Sequence, residues 1–190
     1  HEEAFPFSRW AAHVYGDRSD VKCVFTLDNR DYDAFVVDYK MEPPSEIRVE
    51  ITSAATDRQE YLRMKYFVEH GHVSVWGPVT ASGNERRGHA IKVEGEAVAH
   101  SELLRRTCER IKSAAEGKAG KPHKPPRYGP GYVLLIAFDD WQWFDSDKDV
   151  PWLRAFVDEQ VAPLPLNFDR FYAVGLSGKT CECFFPSAPE

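Results

Sequence analysis

Residues Asp33 to Thr52 read DAFVVDYKMEPPSEIRVEIT, and this stretch decides how the chain is read. Val36 and Val37 on one side, and Ile47, Val49 and Ile51 on the other, are β-branched residues suited to a pleated, half-buried surface. Pro43 and Pro44 have no N–H to give to a ladder, so they belong to the connection between two strands. Side chains alternate along a strand, which puts Ile47, Val49 and Ile51 on one face and Arg48, Glu50 and Thr52 on the other. A hairpin centred near residues 41–44 sets Asp33 opposite Thr52 with Glu50 diagonal to it. Two carboxylates on one patch of sheet are the minimum equipment for a hard divalent cation, Mg²⁺ or Mn²⁺. Each also has a plainer place, Asp33 as a turn residue at a strand start and Glu50 as a solvated side chain on a polar face.

Outward from this hairpin, the spacing predicts a helix over residues 8–15 and strands over 22–27, 31–38 and 47–54. Thr56 and Gln59 form a T-x-x-Q capping box for a helix that reaches about His70, where Gly71 stops it. Residues 72–76 alternate as a strand, 81–88 (ASGNERRG) read as a polar loop, and 90–93 read as another short strand. Residues 102–115 carry an apolar stripe beneath a basic face and should be helical. The segment 118–131, with its prolines and glycines, is linker-like. Tyr132 to Phe138 is continuously apolar, as in a strand covered on both faces. Asp149 and Pro151 announce a helix to about Val161, and two strands close the chain at 168–174 and 180–185. The order implies an α/β fold with a mixed central β-sheet flanked by helices. A single domain over 1–190 is expected, made of 1–80, a basic helix and Pro/Lys-rich connection at 100–130, and a second half of the sheet at 131–190.

With 43% hydrophobic and 13% aromatic residues the chain can build a sizeable core. Its longest apolar run, Tyr132 to Phe138, is far too short to span a bilayer, so no membrane partner is expected. Cys23, Cys108, Cys181 and Cys183 are too few for a disulfide scaffold, and buried reduced thiols, hence a cytoplasmic setting, are expected. The net charge of −6 excludes a generally basic nucleic-acid coat, but residues 100–130 hold eight Lys and Arg against three Glu. Arg105, Arg106 and Arg110 on the basic helix, with Arg58 on the preceding one, are candidates to follow a nucleic-acid backbone, or else form a solvated face. Residues 139–149 reverse the charge: Asp145, Asp147 and Asp149 alternate as in a calcium loop but lack its central Gly and terminal Glu, so they read as a helix cap. Trp141, Trp143 and Phe144 in that loop are a candidate patch for a protein partner, or else fold back onto the sheet. His70 and His72 straddle a helix end with no third metal ligand at a familiar spacing. No nucleophile elbow, Walker A loop or dinucleotide fingerprint is present.

A helix, three antiparallel strands with Asp33 on the second and Glu50 on the third, and then a crossover helix resemble the PD-(D/E)xK nuclease superfamily. The likeness covers roughly the first eighty residues, with a second echo where a basic helix and a Lys/Pro/Tyr segment lead into the strand holding Leu134, Leu135 and Ile136. The resemblance implies a restriction-endonuclease-like core (αβββαβ) with a C-terminal α/β extension. It implies Mg²⁺ or Mn²⁺ held by Asp33, Glu50 and the carbonyl of Ile51, and hydrolysis of nucleic-acid phosphodiester bonds. The family's lysine, two residues after the second acid, is replaced by Thr52; Lys65 on the following helix is the candidate to supply that charge, with Arg58 on nearly the same side. The alternative is a catalytically inactive relative that binds nucleic acid or protein.

Overall fold

A computed structural model describes residues 3–26, 31–54, 58–74, 79–84, 88–95, 97–120, 128–140 and 144–186. The chain forms two compact units, His1–Ala54 with Arg106–Glu190, and Ala55–Arg105.

In the first unit α1 (Ala4–Tyr15) precedes β1 (Val21–Phe25), β2 (Ala34–Asp38) and β3 (Ser45–Ser53). After α3 (His100–Lys118), most of which belongs here, come β6 (Tyr132–Phe138), α4 (Ser146–Gln160), β7 (Arg170–Gly175) and β8 (Cys181–Phe184). The six strands make one mixed sheet in the order β1-β2-β3-β6-β7-β8. β1, β2 and β3 pair antiparallel, β3-β6 and β6-β7 pair parallel, and β8 returns antiparallel. Parallel neighbours need crossovers, and α3 and α4 supply them.

β6 is apolar throughout because both of its faces are covered, and only Tyr132 at its start is half-buried. On one face Val133 and Leu135 join Val36, Val49, Ile51 and Val174 beneath Phe7 and Trp10 of α1. On the other, Leu134, Ile136 and Phe138 pack under Cys108, Ile111 and Ala115 of α3 and Leu153 and Val157 of α4. Each such side chain contributes about 1.5–3 kcal/mol on burial, so β6 is the keel of the unit.

A buried carboxylate ties the far ends of β6 and β7. Asp140 accepts hydrogen bonds from the Ser177 backbone N–H (2.6 Å) and hydroxyl (2.7 Å). It also lies so close to Gly175 that a Cβ there would sit 2.8 Å from Oδ1 and nearer still to the other carboxyl atoms. At the start of α4, Asp145 accepts from the Asp147 N–H while the Asp145 N–H donates to Asp149, so the acidic run does cap a helix, one turn earlier than expected. Phe144 packs edge-on to Phe138 (centroids 5.5 Å apart). Trp141 and Trp143 lie outside the described residues.

In the second unit α2 (Arg58–His70) packs on the hairpin of β4 (Val79–Asn84) and β5 (Gly88–Val93). Gly71, at φ 76°, ends α2 in the left-handed region that favours glycine. The cap at Thr56 and the side chain of Gln59 lie outside the described residues. Two expectations are corrected here. Of the strand expected over 72–76, residues 72–74 are not strand and 75–76 lie outside the described residues. Of the polar loop expected over 81–88, residues 81–84 belong to β4 and Gly88 starts β5, with 85–87 outside the described residues. The period-two signal of β4 was muted by small residues: Val79 is buried and Ala81 half-buried, while Thr80 and Ser82 are exposed. Pairing to β5 satisfies a backbone whose side chains carry little strand preference. A third correction concerns Cys23, expected to be buried, which is exposed on β1 at the edge of the sheet.

Candidate functional site

β2 and β3 pair with Ala34 opposite Val49 and Asp38 opposite Ser45. The connection is thus six residues, 39–44, and the register differs by two from a turn centred on 41–44. The ladder ends at the pair of Ala34 and Val49, and Asp33 lies just beyond it. The Asp33 N–H still donates to the Val49 carbonyl (3.0 Å). The strands are therefore not in the register that would set Asp33 opposite Thr52, and the charge of Glu50 bears on Asp33.

Beyond Asp33 the ladder changes character. The Ile51 N–H donates to the side chain, to Asp33 Oδ2 at 2.7 Å, in place of a β2 carbonyl. The carboxylate thus finishes the pairing of β3, and β3 continues through Ser53 with β6 alone. N–H and C=O of one strand residue point to the same side, so the Ile51 carbonyl lies along the edge where Asp33 sits.

Glu50 is 4% exposed. Its face of β3 is shared with Leu134 and Ile136 of β6, a place where a lone carboxylate is costly. Two donors offset that cost at one oxygen: Lys118 Nζ, 2.5 Å from Oε1, and the Tyr128 hydroxyl at 2.9 Å. Lys118 is the last residue of α3 and 23% exposed. Tyr128 is held by stacking on Phe168 (4.4 Å) and by the Asn167 side-chain amide on its carbonyl. Asp33 is half-buried, and burial, more than any other influence, raises its pKa above the ordinary aspartate value. The Ile51 N–H opposes that rise, Glu50 and Glu3 add to it, and Lys118 again opposes it. Asp33, Glu50 and Lys118 are therefore one electrostatic group.

Thr52, half-buried, lies on the same face as Glu50, two residues on. Arg106 and Arg110 are exposed on α3. Lys65 is a half-buried residue of α2 in the second unit, and Arg58 starts that helix, its side chain outside the described residues. Arg105, also in the second unit, pairs with Glu102 across one helical turn (2.8 and 2.9 Å). His70 stacks on Tyr66 (4.1 Å). Lys118 and Tyr128 were not singled out from the sequence. Lys118 was one of eight basic residues in its segment, and only the placement of α3 and β6 beside β3 distinguishes it.

Among the described residues no group of three His, Cys, Asp or Glu side chains could hold a metal ion. A cation here would instead draw on Asp33 Oδ1, Glu50 Oε2 and the Ile51 carbonyl, atoms that the bonds above do not use; hard oxygens of this kind suit Mg²⁺ or Mn²⁺. No protein-family model, curated protein or solved structure matches the chain. No helix among the described residues is long and apolar enough to cross a membrane.

Proposed function

We propose that the first unit is a nuclease-type centre that hydrolyses nucleic-acid phosphodiester bonds with Mg²⁺ or Mn²⁺. The observation that carries this is the Asp33 carboxylate bonded to the Ile51 N–H, one residue from Glu50 on β3, with the Lys118 ammonium on Glu50. The order of elements, with α3 as crossover into the parallel strand β6, supports a restriction-endonuclease-like core.

The cation, bound by Asp33, Glu50 and the Ile51 carbonyl, would polarise a phosphate oxygen and acidify a water. Lys118 supplies the positive charge that position 52 lacks, and it offsets charge that builds on the phosphate as water adds to phosphorus and the ester P–O bond breaks. The Tyr128 hydroxyl fixes the rotamer of Glu50, and the Thr52 hydroxyl is a hydrogen-bonding group for water on the same face. The test is incubation of DNA and RNA strands with the protein and Mg²⁺ or Mn²⁺, beside Glu50→Gln and Lys118→Met. Metal-dependent cutting that both variants lose is expected; equal traces of cutting in all samples refute the reading.

A second reading, an inactive binding module, is favoured by one observation: Glu50 Oε1 already receives both Lys118 and Tyr128. There the ammonium serves where a metal serves in active relatives. Calorimetric titration with Mn²⁺ separates the two. Saturable binding that Asp33→Ala abolishes belongs to the enzyme, and its absence to the module.

A further inference from the structure

Arg48 lies on the same face of β3 as Glu50, two residues earlier, about 6.6 Å along the strand. Its guanidinium sits between two rings, 5.4 Å from the centroid of Tyr132 and 5.9 Å from that of Tyr32. It also donates to the Tyr132 hydroxyl (3.5 Å), and its contact with Glu46 is long (3.4 Å). The side chain remains 45% exposed. Tyr32 meets Phe35 edge-on (6.1 Å) and Tyr132 meets Tyr128 (5.7 Å). A row of rings therefore runs Phe35, Tyr32, Tyr132, Tyr128, with a guanidinium in its middle and the Glu50 bond at its end.

We propose that Tyr32, Arg48 and Tyr132 form a stacking platform for single-stranded nucleic acid, which delivers the strand to Asp33 and Glu50. This deepens the hydrolytic reading of the same site and rests on it. Aromatic faces and a planar guanidinium accept any unpaired base, whereas in a duplex those base faces are already stacked. Arg48, flanked by rings rather than by further cations, suits the phosphate next to a stacked base better than the run of phosphates along a duplex. The spacing of Arg48 and Glu50 is on the order of one nucleotide of extended strand, so a base on the platform places the adjoining linkage at the carboxylates.

The platform is tested by fluorescence anisotropy in EDTA, where no cutting occurs, with labelled oligo-dT, oligo-rU and a duplex of equal length. Wild type should bind both single strands at least tenfold more tightly than the duplex. Arg48→Ala and Tyr132→Leu should each weaken single-strand binding about 5- to 100-fold. Tyr132→Phe, which keeps the ring but loses the hydroxyl that Arg48 reaches, should retain more single-strand binding than Tyr132→Leu. Thermal unfolding of each variant guards against loss of fold. Duplex preference, no saturable single-strand binding, or unchanged binding by folded Arg48→Ala and Tyr132→Leu overturns the platform. Binding that follows this pattern without metal-dependent cutting leaves the platform standing and removes hydrolysis; cutting lost in Glu50→Gln with unchanged binding by the platform variants does the reverse.

Discussion

Replacing Lys118 by Met should cost the protein about 2 kcal/mol, and replacing Glu50 by Gln in the same molecule should return part of it. Removing one partner of a fully buried ion pair costs about 3–5 kcal/mol, because the other charge is stranded. Here Glu50 is buried but Lys118 is partly exposed, so water already screens the pair and the smaller figure applies. Lys118→Met leaves the carboxylate, among the described residues, with the Tyr128 hydroxyl as its donor, near the charge of Asp33. Glu50→Gln alone strands an ammonium that water reaches, at about 1 kcal/mol. The double variant strands neither charge and should also cost about 1 kcal/mol, so the cycle is non-additive by about 2 kcal/mol. Urea unfolding of the four proteins at pH 7 measures this, and the Tm of Lys118→Met should fall by about 4–8 °C. Additivity within about 0.5 kcal/mol, or an unaltered Lys118→Met, refutes the coupled group on which the site is built.

Asp33→Asn keeps an acceptor for the Ile51 N–H but removes a carboxyl whose pKa is raised, chiefly by burial. The folded state holds that proton more tightly, so this group's contribution is complete below the unfolded value of about 3.9 and is lost as pH rises through the folded value. Relative to wild type, Asp33→Asn should gain stability between pH 4 and 7, as read from urea midpoints; a constant difference across that range contradicts the assignment. Gly175→Ala drives a methyl into the buried Asp140 carboxylate, which its bonds to Ser177 hold in place, and should cost about 3 kcal/mol on thermal unfolding. Iodoacetamide labelling followed by mass spectrometry should modify exposed Cys23 and spare Cys108, which is buried and whose thiol burial pushes up to about 12.

Much of the sheet could be read from residue types alone. β6 matches its apolar run end to end, and the β-branched face of Ile47, Val49 and Ile51 does turn to a core. Strand patterning, though, does not mark where a turn begins. Tyr39 and Lys40 lengthen the connection, and the register of the two strands moved by two residues. The hairpin of residues 79–93 was obscured because Gly, Ser and Asn take strand form only when a partner supplies the hydrogen bonds. Lys118 was not legible as Glu50's partner for a different reason. The two are 68 residues apart, and nothing local in either segment specifies the meeting.

That separation bears on how the protein is made. Chain growth delivers β1, β2 and β3 first, then all of Ala55–Arg105, and only afterwards the strand that covers the open flank of β3. Until Phe138 has left the ribosome, Val49 and Ile51 lack Val133 and Leu135 beside them, and the N–H and C=O groups along that flank face solvent. Long-range pairing of this kind is slow to form, so the emerging meander is the stage most exposed to self-association. Shortening the insertion between Ala54 and Arg106 would narrow that window, and the yield of soluble protein would record it.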